Sequence, residues 1–507
     1  MVTSNSTPCL SSSCVSAIRF GKASASRIVL AHTGVEESLV GQGKKNIGAL
    51  AARRRRHTRT LAVTVVVLLL AAGSAVLVVA APWDSGASGR KLTVATEPPP
   101  IVLAPQVVPV PDSAPIPSSA GLSAALTPAL GNPDLGTFSG SVTDAESGAV
   151  LWNTEPDRPM TPASTTKVLT AAAAMLALPP DHRVSTTVVA GPQPNELVLV
   201  GGGDPTLTAQ AVGEPSIYAG APRLQDLVEQ IKRSGAEVDT ILVDTRAYSG
   251  PTLAKGWFPS DIGGGYIAPM EPVMIDGGRL KPLEDESPRT ATPALDAGRL
   301  LAVELGLDPG KVRPGEASEG AAPVASVQSA PLRDRLGQMM GRSDNVLAEA
   351  IGREIAIEEK GEASFDGAVT AVLDTLTDAE FDLGGVTLHD LSGLSVDDRV
   401  PARVLDAIMT SAAGEAEPEL RPMLDYLPVA GATGTLSDRY GAGDRAGAGW
   451  VRAKTGTLSD ASALVGYVVD SSGRVLTFAL MSNGRPPEAS RPALDAVAAT
   501  LQGCGCQ

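Results

Sequence analysis

The sequence predicts an α/β (α+β) protein in which a mixed sheet is covered by helices and interrupted by a small α/β unit. An early hairpin pattern, FSGSVTDAESGAVLWN, supplies strands near the start of the folded part, and late runs around WVRAKTGTL, SALVGYVVD and RVLTFALMSN supply strands at its end. Helical patterns stand between them, and a strand, helix, strand stretch follows the first long helix.

The chain has 507 residues, enough for more than one core. Residues 1–60 form a basic segment ending in Arg53 to Arg56, His57 and Arg59, with a net charge of +8. The overall charge of −15 then leaves −23 for the remainder. An acidic outer part argues against nucleic acid as a partner.

Residues 61–81 read LAVTVVVLLLAAGSAVLVVAA without a charge, long enough to cross a hydrocarbon layer of about 30 Å. Arginines directly before the run place its N-terminal side in the cytoplasm. One N-terminal membrane helix with everything after Pro82 outside is therefore expected; a cleaved signal sequence and secretion to the envelope is the alternative, with Ala80 and Ala81 as small residues at the cut. Residues 82–119 are rich in Pro, Ala, Val and Ser, the composition of a semi-extended spacer rising about 3.1 Å per residue.

The folded part is expected at 120–182 and 321–507, with 183–320 inserted. Glu146, Ser147 and Gly148 mark the turn of the hairpin. The second strand leads into MTPASTTKVLTAAAAML (Met160 to Leu176), an apolar helix ended by Pro179 and Pro180. In the insert, STTVVA (Ser185 to Ala190), ELVLVGGG (Glu196 to Gly203) and TILVD read as strands. Leu224, Leu227, Val228 and Ile231 line one face of a helix from Arg223 to Arg233, and Lys281 to about Gly320 reads as charged loop. Helices return at PLRDRLGQMMGRSDN and NVLAEAIGREIAIEEK, and a last one is expected from about Pro492 to Leu501.

Chemistry must come from few residues. The four histidines include only His182 and His389 on the outer side, neither near a nucleophile in sequence, although triads assemble in space. Cys504 and Cys506 are too few for a four-ligand metal site and suit a local disulfide or a bond to another chain. Asp204 in GGGDP reads as a turn acid fixing its own backbone, and Tyr248, Trp257 and Tyr266 suit either core or groove.

Ser164 and Lys167 stand three apart at the start of the alanine-rich helix, so hydroxyl and amine share one face. The pair suits a nucleophile and its base, provided burial or another cation lowers the lysine's pKa. It equally suits a polar cap on a buried helix, and Ser88-Gly-Arg-Lys91 repeats the spacing in the spacer. Two further motifs give the pair weight: Ser343-Asp344-Asn345 at a helix junction and Lys454-Thr455-Gly456-Thr457 on a strand.

Together S-x-x-K, S-D-N and K-T-G resemble the signature of penicillin-binding proteins and serine β-lactamases. The chain looks most like D-alanyl-D-alanine carboxypeptidases of the penicillin-binding protein 4 type (low-molecular-mass class C), which carry extra material between the first two motifs. VLVGGGDPTL, DLSGLSVDDRV and the final CGC also resemble actinobacterial, mycobacterium-like members.

The resemblance implies a transpeptidase-like fold with an antiparallel sheet flanked by helices. It implies an acyl-enzyme at Ser164 with Lys167 as base, a proton relay through Ser343 and an Asn345 that holds Lys167 or the substrate amide. Lys454 would lower the pKa of Lys167 and bind the terminal carboxylate with Thr455 and Thr457, while Gly456 leaves room for the substrate backbone. The N–H groups of Ser164 and Thr457 would form the oxyanion hole; Thr165 and Thr166 receive no chemical role.

The substrates implied are peptidoglycan stem peptides, with D,D-crosslinks as a further target; β-lactams would inhibit, and no metal or organic cofactor is required. A β-lactamase and an idle peptidoglycan-binding envelope protein are the alternatives. The sequence specifies no protein partner.

Overall fold

The structure, a computed structural model, describes residues 114–441 and 445–506. The basic segment, the apolar run 61–81 and the spacer up to 113 lie outside the described residues. Among the described residues, no helix is long and apolar enough to cross a membrane.

In chain order, helix α1 (Ser119–Leu130) is followed by strands β1 (Thr137–Asp144), β2 (Val150–Thr154) and the short β3 (Pro159–Met160), then α2 (Lys167–Ala177). The next stretch holds β4 (Ser185–Ala190), β5 (Glu196–Val200), α3 (Leu224–Ser234), β6 (Thr240–Asp244), α4 (Pro293–Leu305), β7 (Arg313–Pro314) and β8 (Pro323–Gln328). After it come α5 (Leu332–Arg342), α6 (Asn345–Glu358), α7 (Phe365–Asp378), β9 (Val400–Pro401), α8 (Ala402–Ala413), β10 (Arg452–Leu458), β11 (Ala461–Val469), β12 (Val475–Asn483) and α9 (Pro487–Gly503).

The main sheet has the order β10-β11-β12-β1-β2. All its pairings are antiparallel, correcting the mixed sheet read from the residues and agreeing with the sheet the resemblance implies. Early and late strands meet directly, because β1 pairs with β12 from Thr137↔Asn483 to Asp144↔Leu476.

Side-chain alternation divides this sheet between two cores. Ala463, Val465, Ala479 and Met481 pack with the apolar residues of α2, α5, α6, α7 and α8. Their strand neighbours Leu464, Val468, Leu476, Phe478 and Leu480 pack on the opposite side with Leu122 and Leu126 of α1 and Leu494, Val497 and Leu501 of α9. Residues 167–174 of α2 are buried all round, which its alanines permit by letting neighbouring backbones come close. Leu178 is extended, as a residue before proline prefers, and ends the helix.

The second sheet, order β7-β6-β5-β4-β8, uses residues up to Gln328. Its strands β5, β6 and β7 are parallel, and α3 and α4 cover one face with Leu227, Ile231, Ala297 and Leu301. Helix α4 corrects the loop reading of Lys281 to Gly320: Ala294, Ala297, Gly298 and Leu301 repeat at helical spacing behind a proline at the first turn. The closing helix starts earlier than expected, at Pro487, with Pro492 inside its first turns.

Cys504 and Cys506 are joined to each other. The Ser118 N–H donates to the Cys506 carbonyl at 2.8 Å, so the chain just before α1 is tied to the C-terminus.

Candidate active site

The approach to the first motif is bent. Ala163 has φ 48°, a left-handed value, and Ala163–Thr166 form one 3-10 turn before α2. Ser164 makes no capping bond to that helix, so the cap reading is corrected. Its hydroxyl instead accepts from Lys167 Nζ at 3.1 Å. Ser164 is half-buried within an otherwise buried run from Pro162 to Ala174.

Lys167 Nζ also donates to Asn345 Oδ1 and to the Ser392 carbonyl, each at 2.6 Å. Burial pushes this lysine down to about 8, although Asp390, Asp344 and Glu349 pull the other way. Lys454 Nζ donates to Ser343 Oγ and the Thr455 carbonyl, each at 2.8 Å. Burial, then the charge of Lys167, pushes Lys454 well below the ordinary lysine range. The expected direction is thus reversed: burial lowers Lys167, and it is the charge of Lys167 that helps to lower Lys454.

Ser343 stands at φ 62° as the C-cap of α5. A glycine would sit there without strain, and a serine in the left-handed region costs about 1 kcal/mol; only the serine offers Lys454 a hydroxyl. Asp344 caps α6 by accepting from the Leu347 N–H at 2.9 Å. Asn345, first in α6, splits its amide between Lys167 and the Tyr266 carbonyl, the latter at 2.9 Å.

Strand β10 lies at the sheet edge. Ala453 donates its N–H outward to the Pro428 carbonyl, and by alternation Thr455 and Thr457 present their N–H and C=O groups on that same edge. Thr455 Oγ1 lies 2.7 Å from Thr435 Oγ1, and Arg491 Nε donates to Thr457 Oγ1 at 3.2 Å. A Cβ on Gly456 would come within 2.5 Å of the Pro162 carbonyl and 3.2 Å of Ala163 Cβ. The absent side chain thus makes room for the turn that carries the first motif, a role beside the expected clearance for substrate.

The loop around Ser392 is the main part that sequence reasoning did not place in the site. Glu349 Oε1 accepts the N–H groups of Leu391 and Ser392, each at 2.9 Å. Asp390 accepts from Trp257 Nε1 at 2.6 Å and from the Gly393 and Ser395 N–H groups at 2.7 Å. These bonds aim the Ser392 carbonyl at Lys167. A Cβ on Gly393, whose φ is +76°, would fall 1.9 Å from the Ala163 carbonyl. The sequence signal was DLSG itself, an acid and a small turn between apolar runs.

Of the undecided residues, Trp257 is core and Tyr248 stacks under Arg353, whereas Tyr266 is 48% exposed next to Asn345. Asp204 Oδ1 accepts the Thr206 N–H and hydroxyl, as a turn acid should. His182 pairs with Glu354 and His389 with Lys255.

The family of the D-Ala-D-Ala carboxypeptidase 3 (S13) matches residues 122–286 and 284–503. Carboxypeptidase DacB of Mycolicibacterium smegmatis is 51% identical over 417 residues, 82% of this chain and 90% of that protein. Carboxypeptidase Rv3627c of Mycobacterium tuberculosis is 53% identical over 390 residues, 76% and 84% of the two chains. The crystal structure of penicillin binding protein 4 from Haemophilus influenzae shares the fold, with a TM-score of 0.62 at 20% identity over 76% of this chain and 98% of that one. With a match that takes in all three motifs and identity above half across three quarters of its length, the chain belongs to the D-Ala-D-Ala carboxypeptidase 3 (S13) family.

Proposed function

We propose that the protein is a serine D-Ala-D-Ala carboxypeptidase acting on peptidoglycan stem peptides, with D,D-crosslinks as a further substrate. The observation that carries this is the Ser164–Lys167–Asn345 cluster, in which a buried lysine with a pKa of about 8 touches a half-open serine hydroxyl.

As the Ser164 oxygen attacks the carbonyl of the penultimate D-Ala, neutral Lys167 takes its proton. The developing oxyanion lies against the N–H groups of Ser164 and Thr457, a contribution worth about 3 to 4 kcal/mol in other acyl-transfer enzymes. The proton that Lys167 has taken is relayed by Ser343, itself bonded to Lys454, to the leaving D-Ala amine as the C–N bond breaks, which returns Lys167 to its neutral form; Asn345 steadies Lys167. The peptide's terminal carboxylate favours the charged form of Lys454 and is held with Thr455 and Thr457, while its backbone pairs along the open edge of β10. Water then releases the acyl group.

A β-lactam carries a strained amide that opens on the same serine and leaves a long-lived acyl-enzyme. The apolar run 61–81 serves as a membrane anchor and the proline-rich stretch after it as a spacer that ends before α1 at Ser119, while the inserted unit runs past the expected residue 320 to the end of β8 at Gln328; with that anchor the enzyme would lie outside the cytoplasmic membrane, in the cell envelope.

Intact mass after penicillin tests the reading. The wild type gains one penicillin mass that persists for many minutes, and Ser164→Ala gains none. Rapid turnover of the penicillin would instead point to a β-lactamase, and labelling that survives Ser164→Ala would move the nucleophile elsewhere.

A further inference from the structure

We propose that the segment between the first two motifs is a working part of the catalytic centre, with Arg279 and Tyr218 as positioning residues that set Ser343 and Asn345 through the Asp344 carboxylate. The proposal rests on the reading of Ser164 as the acylated nucleophile.

Asp344 lies between the two motif side chains that touch the lysines, so its placement fixes both. One of its oxygens caps α6; the other accepts from the Tyr218 hydroxyl at 2.8 Å and Arg279 Nη2 at 3.1 Å. The Arg279 and Asp344 side chains are each 3% exposed. Burial alone would raise the Asp344 pKa, but Arg279 and Arg289 hold the group ionised, at about 2.

Arg279 is itself fixed. Its Nη1 donates to the Tyr218 hydroxyl at 2.8 Å and the Asp276 carbonyl at 3.0 Å, and its Nε reaches the Glu284 carbonyl at 3.2 Å. The same stretch grips the junction at three further points. Gln338 Oε1 accepts the Ala219 N–H, Arg342 pairs with Asp285, and the Tyr266 carbonyl accepts from Asn345. A serine held at φ 62° needs such a frame, because a left-handed non-glycine residue persists only where its surroundings over-determine it.

The consequence is kinetic. Loosening Arg279 lets the Ser343–Asn345 turn relax away from Lys454 and Lys167, and a misplacement approaching 1 Å slows chemistry by up to about 100-fold. A residue that only stabilises the fold lowers the number of active molecules, not the rate of each.

The test follows acylation of the full-length protein by a fluorescent penicillin to completion, reading rate and final labelled fraction separately. Arg279→Met is expected to slow acylation about 10-fold or more while the labelled fraction stays near wild type, and Arg279→Lys recovers part of the rate. Arg474→Met serves as the control: Arg474 pairs with buried Asp144 at the end of β1 and β12 opposite to Asn483, whose Oδ1 accepts from the Thr161 N–H just before the Ser164 turn, so the rate per labelled molecule is unchanged.

If Arg279→Met does not fold, Tyr218→Phe removes one bond to Asp344, and a slowing of about 3-fold or more supports the proposal. A wild-type rate in the folded variant, or a loss confined to the labelled fraction, overturns it. A wild type that takes no label overturns the functional reading and this proposal together; a labelled wild type with an indifferent Arg279→Met overturns the proposal alone.

Discussion

Replacing Gly456 by alanine adds one methyl where β10 meets the turn carrying Ser164. The new Cβ would sit 2.5 Å from the Pro162 carbonyl, about 0.9 Å inside the 3.4 Å at which ordinary contact begins. Strand β10 is held by β11 along its whole length, from Arg452↔Tyr467 to Leu458↔Ala461, so the 162–164 turn must move instead. Displacing a nucleophile by nearly 1 Å costs about 100-fold in rate, or about 2.7 kcal/mol.

Stopped-flow acylation by a chromogenic cephalosporin separates the two roles available to this glycine. Steric displacement of Ser164 predicts a lower acylation rate constant with little change in the preceding binding constant; clearance for substrate predicts weaker binding at an unchanged rate constant. An alanine variant that acylates at the wild-type rate would refute the reasoning outright.

Three other outcomes follow from the same geometry. With Lys167 as the base, acylation requires it without its proton, so the rate should climb with pH through about 8 and then level; a profile flat from pH 6 to 9 would contradict the assignment of the base. Ser343→Gly relieves the left-handed strain but deprives Lys454 of its hydroxyl. Urea unfolding should therefore shift by less than about 1 kcal/mol, while acylation falls about 10-fold or more. Arg474→Met leaves Asp144 buried without its cation and should cost about 3 kcal/mol in urea unfolding, with acylation per folded molecule preserved.

Much of this was legible in the sequence because the signals were local. The strands β4, β6 and β10 to β12 announce themselves by alternation and β-branched residues, and α3 by the spacing of Leu224, Leu227, Val228 and Ile231. Ser164, Lys167, Ser343, Asn345 and Lys454 could be named because three short motifs occur in one order.

What was missed depends on distance in sequence. The Ser392 carbonyl reaches Lys167 across 225 positions, and a backbone oxygen leaves no residue type to recognise. The closeness of Gly456 to the Pro162 carbonyl could not be read from the residues either, because the two lie far apart in the chain. Helix α4 was hidden by the charged residues on either side, which raise polarity without touching its buried face. The Arg279–Asp344 pair could not be foreseen, since neither residue departs from ordinary surface composition until folding buries both.

The central claim is that Ser164, activated by Lys167, cleaves the terminal D-Ala from a stem peptide. Release of D-Ala from a muramyl pentapeptide, followed by mass spectrometry for the wild type and for Ser164→Ala, addresses it directly. The account predicts tetrapeptide and free D-Ala from the wild type and intact pentapeptide from the variant; equal release by both proteins, or none from either, would contradict it.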